Sequence, residues 1–511
     1  MNITLGIVIL YFGALLLIGW LGNRSSKKSH ELNSTTWQEE FYTGAKKMNP
    51  IVLGCTFAAT IASGGIFMGH PGLGYTRGLT WSWAYMCAIW TGILPFILLG
   101  KRVFRVGMKI RAVSPSDVIE YRYENNKPVS IIMIVLTIFF YMSYTTSQFA
   151  AGGRMLAFIT GLDYIWALII FAVIIVVYVT AAGMRGVAWT DTLQGILMLV
   201  VGISIVPTII AYAGGMENIT ATLTEIDPMM LRGGEGGTAT AFGVMISFMF
   251  LINGLLGLGQ PAGVQRLLVY DNPKTFKWGA VIAGFMVMFM SASMVLAGVM
   301  GRAIFPDLEV ADNIIPTLIA AIMPKILAAI FLSGILAAIN SSANSYMLCV
   351  SASIVKDLIA DFIKPDIKDS TVSKLTTIVT LMVGGVSMVL AIKPPAFIGL
   401  MILYAWKGLG LCIGIPLVFG CLWKRANKYG ALASIVVAMV SYMLIDKLFG
   451  STFLGLDLDS SAWGLIFGAA AMIVVSLATP KTKQEVLDTF FDEEAVEAAQ
   501  LQTAPATTDK V

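Results

Sequence analysis

Hydroxyl and amide side chains gather on one face of a long apolar segment near residues 316–354. Ser333, Ser341 and Ser345 are separated by multiples of four residues, which places them on the same side of an α-helix. Serine hydroxyls are oxygen ligands of the kind that hard cations prefer. They also form hydrogen bonds between packed helices, and the spacing leaves both interpretations open. The polar residues beside this stripe are Asn340, Ser342 and Asn344.

Two ionisable residues lie inside other apolar segments. Charged groups at membrane depth are costly and are usually functional. Asp191 is either a cation ligand or a carboxylate at a helix start near the interface. Lys407 has three explanations: deprotonation by burial, pairing with an acid on another helix, or contact with a substrate anion in a wet cavity.

A second polar stripe follows positions i, i+3, i+4 and i+7 of another apolar segment. Its members are Tyr141, Tyr144, Thr145 and Gln148. His70 lies beside Pro71 after a glycine-rich stretch, and we interpret it as a structural residue. The five cysteines all sit in apolar segments without a CxxC pair, so they are interpreted as packing residues.

The elements that carry these residues are predicted to be transmembrane helices. The chain has 511 residues, of which 57% are apolar and only 13% charged, whereas soluble domains contain about 25% charged residues. The apolar residues come in blocks of about 20, the length that crosses a hydrocarbon core. An all-α protein with thirteen spans is predicted, near residues 4–22, 48–70, 78–100, 129–150, 160–182, 187–213, 238–262, 278–300, 316–354, 375–392, 395–423, 429–448 and 461–479.

Two of these spans are interrupted by glycine and proline. The second span contains Ser63, Gly64 and Gly65, and the seventh runs from Asn253 through several glycines to Gln260 and a proline. Each interrupted span opens a group of five spans. Paired interruptions are typical of inverted-repeat transporters with a binding site at the midplane. Glycines that merely allow close helix packing would give the same pattern.

The basic residues predict the orientation. Most of the 34 Lys and Arg residues, Arg266 among them, fall in loops on one side if the N-terminus is outside and the C-terminus is cytoplasmic. The loops near 214–237 and 301–315 are acidic and are predicted to be extracellular. The net charge of +4 gives no reason to expect a nucleic-acid partner.

Several motifs resemble the sodium/solute symporter family of pantothenate, proline and sugar carriers. They are FMGHPG at residues 67–72 with the preceding residues 59–65, GMRGVAWTDTLQG at 183–195, GILAAINSS at 334–342 continuing to residue 358, and GCLWKRAN at 420–427. The resemblance implies a leucine-transporter-like core of five plus five helices in an inverted repeat, with one helix before it and two after.

The resemblance also implies sites for sodium, the transported coupling ion. One sodium site would use Ala59, Ala62, Ala338, Ser341 and Ser342. Some members have a second site, whose matching positions are Asp191, Ser341, Asn344 and Ser345. The substrate-binding candidates are Ser63, Gly64, Gly65, Tyr144, Gln148, Asn253, Gln260 and Lys407.

The substrate expectation rests on departures from the family pattern. Proline carriers have an acidic residue where this chain has Ile61, and the polar residues of the sugar branch are missing at Gly64, Gly65 and Ile66. The pantothenate-type branch is closest in its glycine and proline pattern. We therefore expect a small organic solute, with a carboxylate such as pantothenate first and a sugar or amino acid as the alternative.

The expected divisions are residues 1–47 (first helix and cytoplasmic loop), 48–214 (first repeat), 215–237 (extracellular loop), 238–423 (second repeat), 424–479 (two peripheral helices) and 480–511 (cytoplasmic tail).

Other function classes lack their motifs. We find no HExxH, GxSxG or P-loop and only two histidines, so an enzyme is not expected. No repeated filter indicates a channel, and the tail is too short for a sensor domain. The sequence predicts sodium-coupled symport by alternating access across the cell membrane, with sodium, a small solute and the lipid bilayer as partners.

Overall fold

The structure is a computed structural model, and it describes residues 3–33, 37–43, 48–231, 253–269, 273–364, 367–394, 398–450 and 452–492.

The helices of the first half are α1 Ile3–Asn33, α2 Trp37–Thr43, α3 Pro50–Ile61, α4 Gly65–Arg77, α5 Leu79–Met86, α6 Ile89–Leu94, α7 Lys101–Lys109, α8 Pro115–Arg122, α9 Lys127–Thr160, α10 Tyr164–Tyr212 and α11 Met216–Ile226. Those of the second half are α12 Pro261–Arg266, α13 Pro273–Ile304, α14 Ile314–Ile322, α15 Lys325–Ala352, α16 Asp369–Ile392, α17 Ile398–Leu409, α18 Ile415–Leu422, α19 Lys428–Phe449, α20 Ser460–Ala478 and α21 Gln484–Phe491.

Short turns of other helix types continue several of these helices. They are the π-helical turns Gly65–Gly69, Pro95–Gly100, Ser353–Ile363 and Gly410–Gly414 and the 3₁₀ turns Pro228–Met230, Leu256–Gly259 and Ala311–Asn313. The one strand pair among the described residues is β1 Thr452–Phe453 with β2 Leu456–Asp457, antiparallel, with Thr452 opposite Asp457.

Nine helices of the described chain are long and apolar enough to cross a membrane, and the bent pair α3 and α4 makes a tenth. Three differences account for the gap between ten and the predicted thirteen. The third span is a series of short helices, the fifth and sixth run together in α10, and most of the seventh lies outside the described residues. The all-α fold is confirmed, while the count of thirteen stays a prediction.

Gly183 divides the 49-residue α10 into two parts, because its backbone is not helical (φ 59°, ψ −177°). A positive φ is readily adopted only by glycine. A Cβ at this position would also meet the Phe41 ring at 3.0 Å. The predicted boundary between the fifth and sixth spans, at 182–187, falls at this kink.

The helix that carries the serine stripe lies at the centre of the protein. Every residue of α15 from Phe331 to Ala352 is buried, and the helix packs against α3, α9, α10 and α16. The predicted span 316–354 is divided, because the short helix α14 ends at Ile322 before α15 begins at Lys325. Since α15 is enclosed by protein, its polar residues face other helices rather than lipid.

Candidate functional site

The second span is broken, as the sequence predicts. Asn49 caps α3 through a hydrogen bond from the Val52 amide (2.9 Å), and α3 ends at Ile61. The next helix, α4, starts at Gly65 and is inclined to α3 by 58°. Ala62 between them has non-helical backbone angles (φ −74°, ψ 78°).

The break releases two backbone carbonyls from helical pairing. In a continuous helix the Ala59 and Thr60 carbonyls would accept from the amides four residues later. Here the Ser63 amide donates to the Ile61 carbonyl (2.9 Å) and the Gly64 amide to Gln148 Oε1 (2.9 Å). Buried carbonyls need other partners in a membrane protein.

The serine stripe of α15 supplies those partners. Ser341 Oγ lies 2.8 Å from the Ala59 carbonyl and 3.0 Å from the Ala338 carbonyl. Ser342 Oγ donates to the Thr60 carbonyl at 3.0 Å. The structure therefore gathers hydroxyl and carbonyl oxygens from α3 and α15 at the break, all buried, and a hard cation takes such oxygens as ligands.

The five residues predicted for the first sodium site all lie at this junction. Ala59, Ala338 and Ser341 are in direct contact, Ser342 is the next residue of the same helix, and Ala62 lies at the break itself. Sequence reasoning missed Thr60, whose carbonyl also accepts a hydrogen bond from Tyr346 (3.0 Å). Its position, one residue after Ala59, could have indicated that its carbonyl is also released by the break.

A small cavity lies on the other side of the break. It has a volume of about 40 Å³, which is room for a few water molecules. Among the substrate candidates, Ser63, Tyr144 and Asn253 line it, and Tyr144 donates to Ser63 Oγ (3.2 Å). Its apolar lining includes Ile61, Ile66, Val287, Ile402 and Trp406. In this conformation a solute would need side chains to move.

The polar cavity residues His70 and Ser291 were not among the predicted substrate contacts. Among the described residues, neither ring nitrogen of His70 nor the hydroxyl of Ser291 has a hydrogen-bond partner, although both residues are buried. The His70 ring stacks on Tyr85, with centroids 4.2 Å apart. Buried polar groups are normally paired, so such groups in a cavity are candidates for binding a ligand. His70 was interpreted as structural because it follows the glycine-rich stretch beside Pro71; the same position also places it in the cavity.

The other substrate candidates have different roles. Gln148 stabilises the break by accepting a hydrogen bond from the Gly64 amide. The Gly65 amide donates to Ser63 Oγ (3.1 Å). Gln260 donates to the Trp406 carbonyl (2.9 Å) at the second interruption, outside the cavity. There a Cβ at Gly259 would meet the Gly414 amide nitrogen at 2.5 Å, so glycine allows the backbones to touch. This contact shows that Gly259 serves close packing of the two backbones.

Lys407 does not reach the cavity. Its ammonium pairs with Asp459 at 2.5 Å, at the start of α20. It borders a wide groove whose walls include the exposed residues Phe139 and Leu400, so this groove opens on the apolar outer surface. Of the three explanations for this lysine, the structure shows pairing with an acid on another helix. The structure therefore gives no reason to assign Lys407 a substrate-binding role.

Asp191 and Ser345 come together as predicted, but Arg266 lies between them. The Arg266 guanidinium is 3.2 Å from Asp191 Oδ2, and both side chains are 0% exposed. It also donates to Ser345 Oγ at 2.9 Å. The assignment of Arg266 to a cytoplasmic loop is wrong, because a loop charge would be solvated. The amide of Asn344 has no hydrogen-bond partner among the described residues.

An acidic group lies near one end of α15. The Asp117, Asp357 and Asp361 carboxylates are close enough to share a metal ion. The Lys356 ammonium already pairs with all three, so we assign no metal here. Nearby on α8, outside the membrane-spanning segments, burial raises the pKa of Glu120 to about 8, and the negative charges of Asp357 and Asp361 add to this.

Comparison with known proteins identifies the family to which the chain belongs. The model of the sodium:solute symporter family matches residues 41–438. The chain belongs to the sodium:solute symporter family. It is therefore a multi-pass membrane transporter whose coupling ion is sodium, and it carries a solute together with that ion.

Two bacterial members of this family resemble the chain over most of its length. The sodium/pantothenate symporter of Haemophilus influenzae is 33% identical over 438 residues, covering 85% of this chain and 89% of that protein. The sodium/pantothenate symporter of Escherichia coli is 34% identical over 418 residues, covering 81% and 85%.

A solved structure shows the fold. A Na⁺-coupled sialic acid symporter in a substrate-bound outward-open state matches with a TM-score of 0.76 and 21% identity, covering 95% of this chain and 99% of that one. The predicted leucine-transporter-like architecture is thereby confirmed.

Proposed function

We propose that this symporter imports pantothenate, or a closely similar small monocarboxylate, together with sodium. The observation that carries the proposal is the agreement between the cavity beside the break and the two relatives named sodium/pantothenate symporter, at 33% and 34% identity. Pantothenate combines a carboxylate, an amide, two hydroxyls and a branched apolar carbon. The cavity lining offers matching chemistry.

The polar side of the cavity supports recognition of hydroxyl and amide groups. His70 and Ser291 have donors and acceptors to offer, and Ser63 and Tyr144 form a hydroxyl pair that a solute can join. The apolar residues Ile61 and Val287 suit the branched carbon. A solute with several polar groups leaves few of them unpaired in such a site, which is what specificity requires.

The carboxylate would lie at the break. None of the described residues that line this cavity is a lysine or arginine. Positive charge comes instead from the sodium ion and from the N-terminal end of α4, whose helix dipole points at the break. Sodium at Ala59, Ala62, Ala338, Ser341 and Ser342 would then make binding of the anion depend on binding of the cation.

We further propose that the protein lies in the plasma membrane with its N-terminus outside and its C-terminus in the cytoplasm. The excess of lysine and arginine on one set of loops supports this orientation. To check this orientation, cysteines substituted for Arg24 and Asp227 are labelled in intact cells and in inverted vesicles.

Competition binding tests the solute assignment. Purified protein is incubated with labelled pantothenate in sodium or potassium chloride, and unlabelled competitors are added: pantothenol, which lacks the carboxylate, β-alanine, proline and glucose. We expect binding only with sodium, and much weaker competition by pantothenol than by pantothenate. Equal competition by proline or glucose would move the substrate to the amino-acid or sugar class.

A further inference from the structure

Arg266 is the last residue of α12, just after the second interrupted span, and its charge is fully enclosed by protein. Four helices each direct one oxygen at its guanidinium. Nε donates to Thr56 Oγ1 (3.1 Å), Nη1 to the Ala262 carbonyl (2.8 Å), and Nη2 to Ser345 Oγ (2.9 Å) and Asp191 Oδ2 (3.2 Å). Asp191 is held in addition by Thr56 Oγ1 (2.6 Å).

These partners form the kind of ligand set that a hard cation takes. A carboxylate, two hydroxyls and a backbone carbonyl, from α10, α3, α15 and α12, surround this one guanidinium. A buried charge must be neutralised, and Arg266 with Asp191 gives a net charge of zero. A sodium ion added at the same point would leave an excess positive charge without water to solvate it.

The cluster is next to the sodium ligands at the break. Ser345 Oγ donates to the Ser341 carbonyl (3.0 Å) and lies 3.2 Å from Thr60 Oγ1. The two positions therefore share α3 and α15 as walls. One would hold a mobile cation, and the other holds a cation that is covalently part of α12.

We propose that Arg266 is a tethered cation that permanently fills a second cation position, so that the carrier binds one sodium ion per solute molecule. With a monocarboxylate substrate, one sodium per solute makes transport electroneutral. The proposal rests on the sodium symport of the proposed function but not on the identity of the solute.

Sodium binding to the purified full-length protein tests this without any solute. The amount of bound ²²Na⁺ per protein is measured at saturation, with choline chloride keeping the ionic strength constant. Wild type is expected to bind one ion. Arg266→Gln vacates the position but keeps Asp191, Thr56 and Ser345, so two bound ions per protein are expected.

Two further variants separate a vacated site from general disturbance. Arg266→Gln with Asp191→Asn removes the carboxylate as well and should return the count to one. Arg154→Gln is the matched control, because Arg154 pairs with Asp312 at 3.7 Å outside this cluster, and its count should stay at one.

The outcomes are distinct. Two ions bound by wild type would overturn the tethered-cation proposal, and so would a folded Arg266→Gln that still binds one. If Arg266→Gln does not fold, the wild-type count decides by itself: one supports the proposal and two overturns it. Wild type that binds no sodium would contradict the proposed sodium site instead.

Discussion

Ser342→Ala is expected to weaken sodium binding about tenfold. In the structure Ser342 Oγ donates to the Thr60 carbonyl at 3.0 Å. When sodium is bound, we expect the same oxygen to turn to the ion. Because Tyr346 also donates to that carbonyl (3.0 Å), the variant leaves no buried carbonyl unpaired. The substitution therefore changes the sodium-bound state more than the sodium-free state.

The magnitude follows from the difference between the two states. Hydrogen bonds that involve a charged group contribute about 1.5–3 kcal/mol, and neutral ones about 0.5–1.5 kcal/mol. Taking the first as a guide for an oxygen facing a cation, the net loss in binding free energy is about 1–1.5 kcal/mol, which is roughly a tenfold rise in the sodium concentration at half-saturation.

The assay is sodium titration of solute uptake in proteoliposomes. Ser333→Ala is the matched control, since Ser333 lies on the same helix and is equally buried, but its hydroxyl donates to the Ala329 carbonyl of its own helix (2.8 Å). The control should keep the wild-type titration curve. If Ser342→Ala keeps it too, Ser342 does not contact sodium.

Three other substitutions have definite expected outcomes. Lys407→Met should leave the solute concentration for half-maximal uptake unchanged and lower stability by about 2 kcal/mol, because Asp459 loses the positive charge with which it pairs; a large rise in that concentration would restore a substrate role. Asp191→Asn leaves the Arg266 charge buried without its counter-ion and should lower stability by about 3–5 kcal/mol, measured as thermal unfolding; an unchanged unfolding midpoint would contradict the ion pair. Glu120 has a folded-state pKa of about 8, above its ordinary value of 4.5, so the folded protein keeps a proton that the unfolded chain loses, and stability falls as pH rises from 4.5 through 8. Glu120→Gln should remove this part of the pH dependence of the unfolding midpoint, and a variant with the wild-type pH profile would refute the buried protonated carboxyl.

The parts of the site that sequence could predict are those set by local spacing. Residues four apart share a helix face, so the serine stripe was visible before the fold was known. Glycine and proline within an apolar span indicated the break between Ile61 and Gly65, and the carbonyls freed there follow from helix geometry.

The predictions that failed concern residues whose partners lie far away in the sequence. Lys407 and Asp459 are 52 residues apart, and nothing near either residue shows the pairing. Arg266 follows a glycine- and proline-rich stretch, so its charge suggested a loop. Only the fold brings Asp191, 75 residues away, within 3.2 Å and makes burial of that charge possible.

The most direct test of the account is accumulation of labelled pantothenate in proteoliposomes under an inward sodium gradient. We predict uptake above the equilibrium level that collapses when the gradient is removed and is absent when potassium replaces sodium. Accumulation that is equal in sodium and potassium would contradict sodium coupling at the break in the second span, and no pantothenate uptake under a sodium gradient would contradict the proposed substrate.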